Sequence, residues 1–152
     1  MSPVQQPPHA ILVIANETCP CPALADQVAS RASEAPLRVL VVAPALNSRQ
    51  RHWVSDVDDA VSRAQERVEL AVAELRVRGV SARGAVGDSD PMLAIADALA
   101  DFAATELVIA THPAGRSNWL ERGLIEKARA RFGVPITHLV SSYGLVEEAA
   151  AA

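Results

Sequence analysis

Aromatic side chains make up only 3% of the 152 residues, with two tryptophans, one tyrosine and two phenylalanines. So sparse a supply excludes base-stacking platforms and a large aromatic hot-spot interface, and leaves a small molecule as the expected ligand. Positive charge is not in excess either: 14 basic residues face 18 acidic ones, a net charge of -4. Without a basic field, nucleic acid is excluded as a main partner. No stretch approaches the roughly 18 apolar residues of a membrane span, so no membrane partner is expected. The segment Met1 to His9 has no basic region, and the apolar run from Ala10 is too short for a signal peptide, which points to a cytoplasmic protein. The two cysteines, Cys19 and Cys21, flank one proline. That spacing is too tight for a relaxed disulfide and supplies half of a structural zinc site, so they read as inert loop thiols and no metal is expected.

Several signature loops are missing as well. There is no Gly-x4-Gly-Lys-Ser/Thr, no Gly-x-Gly-x2-Gly after the first apolar run, and no Gly-x-Ser-x-Gly elbow. Each absence removes a named chemistry of phosphates, dinucleotides or acyl groups. The acidic pair that a phosphoacceptor receiver needs for Mg²⁺ is not at the end of that run. The expectation is a protein without turnover. A small α/β enzyme of unknown chemistry is the lesser alternative, because one fold hosts many functions.

What is present is a repeating pattern of short apolar runs and amphipathic stretches. Ala10 to Ala15, Leu37 to Ala43 and Glu106 to Thr111 are continuous and rich in β-branched residues, as strands buried on both faces are. Val54 to Arg78 places Val54, Val57, Val61, Ala64, Val68, Ala71, Val72 and Leu75 at steps of three and four, which predicts one long helix closed by Gly79. Val80 to Val86 reads as a weaker strand. Asp90-Pro91 then opens a helix whose apolar face is Met92, Leu93, Ile95, Ala96, Leu99 and Phe102. A last helix is expected from Ser117-Asn118, with Glu121 three beyond Asn118 as in a capping box, and ends at Gly133-Val134-Pro135. Ile136 to Val140 is the fifth strand, and Pro22 to Ala32 supplies the first helix.

The order βαβαβαβαβ predicts a five-stranded parallel doubly wound α/β sheet of Rossmann-like type, with right-handed crossovers. Residues 10–142 form the single domain, 1–9 a flexible N-terminus and 143–152 a disordered tail. Ligands in such sheets bind outside the carboxyl ends of the strands. The search narrows to Asn16-Glu17-Thr18, Ala43-Pro44, Gly87-Asp88-Ser89-Asp90 and the loop from Thr111 to Asn118.

That last loop reads Ala110-Thr111-His112-Pro113-Ala114-Gly115-Arg116-Ser117-Asn118, continuing to Gly123-Leu124. It resembles the loop of the universal stress protein family, whose nucleotide-binding members carry Gly-x2-Gly-x9-Gly followed by Ser or Thr. The alignment sets Ala110 at the first glycine, Pro113 at the second, Gly123 at the third and Leu124 at the hydroxyl. The resemblance extends from Ala10 to about Val140. It implies that fold, which is also the adenine-nucleotide alpha-hydrolase-like plan, and a ligand site drawn from Asn16, Thr18, Val42, Gly87, Asp88, Thr111, His112 and Gly123, to which the loop's own residues add Gly115, Arg116 and Ser117 as candidates. Asn16 stands where nucleotide-binding members have an acid, and Val42 lies near the position that contacts the base.

The departures have physical consequences, because glycines let a backbone approach phosphate oxygens. Pro113 removes an amide and Leu124 a hydroxyl. The resemblance therefore implies a binding or regulatory module without tight ATP binding in the usual mode. Its alternative is a family member that still holds ATP or ADP through backbone contacts, with slow or no hydrolysis. Gly115-Arg116-Ser117-Asn118 reads either as an anion site or as a plain helix cap beside a solvated arginine. His112 has no partner acid nearby in sequence and reads as a loop histidine, and His138 as packed or at a subunit contact. Family members commonly form homodimers through the last strand. Ile136 to Val140, an uncharged edge candidate, is expected to pair that way.

Overall fold

The structure is a computed structural model that describes residues 9–15, 22–30, 37–45, 54–111, 123–142 and 145–148. Its strands are β1 (His9–Ala15), β2 (Leu37–Pro44), β3 (Ser81–Gly87), β4 (Glu106–Thr111), β5 (Ile136–Ser142) and β6 (Leu145–Glu148). The helices are α1 (Pro22–Ala29), α2 (Val54–Val77), α3 (Pro91–Asp101) and α4 (Leu124–Arg131). One sheet holds all six strands in the order β3-β2-β1-β4-β5-β6. The first five are parallel, as the apolar runs predict, and β6 is antiparallel to β5.

Alternation along the strands divides the core in two. Ile11, Val13, Val39, Val41, Val108 and Leu139 pack with Ala25 and Val28 of α1 and Ala64, Val68, Val72 and Leu75 of α2. Leu12, Ile14, Leu40, Val42, Leu107 and Ile109 pack on the other face with Ile95 of α3 and Leu124, Ile125 and Ala128 of α4. Both faces of β1 are covered, which is why its run is apolar without alternation. α2 comes so close to β3 that a Cβ on Gly84 would lie 1.9 Å from Val68 Cγ1. Gly79 ends α2 at φ +79°, with the Val80 amide donating to the Leu75 carbonyl at 3.1 Å. Arg78 then reaches Asp26 of α1 at 2.6 Å and Glu74 at 2.7 Å, joining the two helices of that face.

Four expectations need correction. Residues 145–148 do not belong to a structureless tail: they pair with β5, Leu145 opposite Ser142 and Leu139 opposite Glu148. Only Tyr143 and Gly144 separate the paired ends, the length of a two-residue hairpin link. β5 is consequently not an edge strand, since β4 and β6 flank it. The last helix does not run unbroken from Asn118, because Gly123 sits at φ +69° immediately before α4, a left-handed residue that a right-handed helix cannot include. Ser117, Asn118 and Glu121 lie outside the described residues. Finally, Val61 is 41% and Leu93 45% exposed. On α3, Ala94 and Ile95 take the inward positions and Leu93 turns out.

Candidate functional site

The chain runs from β1 outward to β2 and β3, then returns across to β4 and β5, so strand order reverses between β1 and β4. At their carboxyl ends Ala15 pairs with Ala110, and Thr111 is the last residue of β4. This is the topological switch point, where open α/β sheets leave a crevice between diverging loops.

Thr111 is fully buried, the one buried polar side chain among the described residues. Its Oγ1 lies 2.7 Å from Nε2 of His138, which β5 places two residues before the position opposite Thr111. Thr111 and His138 thus share the sheet face that α4 covers. Burial pushes the His138 pKa down, Arg129 on α4 pushes the same way, and Glu126 opposes them. The imidazole is therefore neutral at pH 7.

On the far side of β1, Val42 and Gly87 meet. A Cβ on Gly87 would lie 2.9 Å from both Val42 Cγ1 and Ala94 Cβ, so this glycine admits α3 to the end of the sheet. The Gly87 carbonyl also accepts from the Ala45 amide at 3.2 Å. Asp88 Oδ1 accepts from the Asp90 amide at 2.9 Å, and Asp90 Oδ1 from the Met92 amide at 2.9 Å. The expected N-cap is present, with a second carboxylate behind it. Two acids at the start of α3 disfavour an anion there.

Of the loop that resembles the family's, only the ends are among the described residues. Ala110, at the position of the first glycine, is 1% exposed inside the sheet between Ala15 and Leu139. Gly123 is the retained glycine and is the one whose backbone requires it, at φ +69°. Leu124, at the position of the hydroxyl, is 3% exposed and belongs to the core with Ile125 and Ala128. A Cβ on Gly123 would lie 3.6 Å from Glu126 Oε2, which places a carboxylate beside the start of α4. Asn16, Thr18, His112, Pro113, Gly115, Arg116 and Ser117 lie outside the described residues. The site therefore gathers Thr111 with His138 on one side of β1 and Val42 with Gly87 on the other.

The contact of His138 with Thr111 was not anticipated. The available signal was that Thr111 and His138 have the same parity on adjacent strands, which is useful only once their register is known. At the opposite edge, Glu106 lies 3.2 Å from His9 Nε2 and accepts from the Thr137 hydroxyl at 2.8 Å. Those contacts tie the amino ends of β1, β4 and β5 together. Among the described residues no cluster of three or more His, Cys, Asp or Glu forms a metal site, and no helix is long and apolar enough to cross a membrane.

No protein-family model matches the sequence, and no curated protein matches it. Solved structures do match the fold. A universal stress protein from Archaeoglobus fulgidus superposes with a TM-score of 0.62 at 19% identity, covering 86% of this chain and 92% of that one. A universal stress protein family protein from Arabidopsis thaliana, solved with AMP bound, gives 0.60 at 12% identity, covering 89% and 93%. The Archaeoglobus fulgidus protein in complex with dAMP gives 0.59 at 16%, covering 86% and 95%. The fold is that of the universal stress proteins, over nearly the whole length of both partners.

Proposed function

We propose that this chain is a divergent member of the universal stress protein family. It works as a cytoplasmic binding or regulatory module without turnover, its crevice at the carboxyl ends of β1 and β4 receiving a small ligand and not clasping ATP in the family's usual mode. The observation that carries the second half is Leu124, 3% exposed where a phosphate-binding hydroxyl is expected. A side chain committed to the core under α4 has no hydrogen bond to give a phosphate, and the Glu126 carboxylate beside Gly123 adds repulsion.

A second reading keeps an adenine nucleotide of the monophosphate class. It is favoured by the AMP and dAMP held in structures of the same fold. A monophosphate asks less of the loop than a triphosphate does.

The test is a thermal melt with Mg-ATP, ADP and AMP. Ligand at a hundred times its dissociation constant adds about 2.7 kcal/mol, a shift of roughly 5 to 10 °C for a domain of this size. The first reading expects no shift with Mg-ATP, and a shift of that order would overturn it. A shift with AMP alone selects the second reading.

A further inference from the structure

We propose that the outer face of α2 is a contact surface for a second copy of this chain, the two helices lying antiparallel across a two-fold axis. This surface is separate from the carboxyl edge, and nothing in it depends on what that edge binds.

The core side of α2 is set by Ala64, Val68, Val72 and Leu75. At about 100° per residue, Leu70, Ala73 and Val77 fall on the opposite side. Leu70 is 58% and Val77 83% exposed, and Ala73 between them is exposed as well. Single exposed apolar residues are common, but three at steps of three and four along one stripe form the seam of a helix pair. Leu70 and Val77 take the a positions of a heptad and Ala73 the d position, where its small side chain lets a facing helix come close.

Charge identifies the occupant. The seam is flanked on one side by Glu69 and Arg76 and on the other by Arg67 and Glu74, the g and e positions of the same heptad. Two copies laid antiparallel, with Leu70 over the second copy's Ala73, bring Glu69 beside the second copy's Arg76 and Arg67 beside the second copy's Glu74. The two-fold axis forms each pair twice. Val77 then lies over the stem of the second copy's Glu66. A parallel pair in register sets Glu69 against Glu74 instead. Sliding the antiparallel pair by one heptad either way sets like against like, Arg76 and Glu74 or Glu69 and Arg67 each meeting its own counterpart. Among these arrangements, the attractive one is also the one that places Leu70 and Ala73 at its centre.

Within the chain the flanking side chains are held in place. Gln65 Nε2 donates to Glu69 at 3.1 Å, Arg76 Nε donates to the Ala82 carbonyl at 3.1 Å, and Glu74 pairs with Arg78 at 2.7 Å. Arg67 Nε is buried and has no hydrogen-bond partner. Among the described residues, neither Arg67 nor Arg76 has an ion pair.

The seam is short, so the contact is weak, with a dissociation constant on the order of 100 μM. Sedimentation velocity from about 20 μM to about 1 mM brackets that value. We expect an association step in the upper part of the range, added to any species already formed through the sheet edge. Leu70→Glu removes it. Glu69→Arg and Arg76→Glu each weaken it roughly tenfold, because each turns two attractions into two repulsions, and the double variant restores it. All three positions are exposed, so an unchanged circular dichroism spectrum separates a lost contact from a lost fold.

Absence of any association step that Leu70→Glu removes overturns the contact surface. A step that Leu70→Glu removes but the double charge variant does not recover overturns the antiparallel two-fold pairing.

Discussion

Leu124 is a residue whose place is set by packing. It is the first residue of α4, and the core beneath that helix is made of Leu124, Ile125 and Ala128 against the sheet. Leu124→Ser would restore the hydroxyl of the family pattern, but it removes a buried side chain. We expect a loss of about 2–5 kcal/mol in urea unfolding, the usual range for truncating a buried leucine. A loss under about 1 kcal/mol would mean the position is not anchored. Gly123 differs in kind, since a Cβ there would meet only Glu126 Oε2, in ordinary contact at 3.6 Å, and its φ of +69° is what demands glycine.

Among the elements, the seat of α2 on β3 is the tightest. A methyl group at Gly84 meets the Val68 side chain at 1.9 Å and Val72 Cγ2 at 3.1 Å, so Gly84→Ala must push helix and strand apart. Overpacking of this kind costs about 1–3 kcal/mol, and a lower midpoint in chemical denaturation checks it. The features legible in the sequence are those that a single element declares. Val54–Val77 announces itself by its period, α3 by Asp90 and Pro91, and β1, β2 and β4 by their apolar runs. What could not be read depends on partners elsewhere in the chain. The four residues of β6 become a strand only by pairing with β5, and Gly123 interrupts a pattern that periodicity alone would run through. His138 becomes a site residue only because β5 lies in register beside β4. The carboxyl-edge positions of Thr111, Val42 and Gly87 were legible from the strand pattern, but the contact of Thr111 with His138 was not.

At the level of the whole molecule, β6 moves the sheet's outer edge away from β5, and a two-fold contact on that side now has to begin from β6. The sequence of β6, Leu145-Val146-Glu147-Glu148, contains two acids, a composition that disfavours open-ended strand pairing without preventing a closed dimer. We expect a dimer in sedimentation velocity at micromolar concentration, and a monomer-sized species alone would remove that expectation. The strand order has a further consequence, for the time at which the molecule becomes a molecule. β1 is made first and lies in the middle, yet its second neighbour arrives late: the contact of His9 with Glu106 spans 97 positions. During synthesis β1 and β2 can pair early, but one long side of β1 stays open until Thr111 has left the ribosome. Until β4 has been made, β1 has one bare side, so the sheet closes around its central strand only when the second half of the fold arrives.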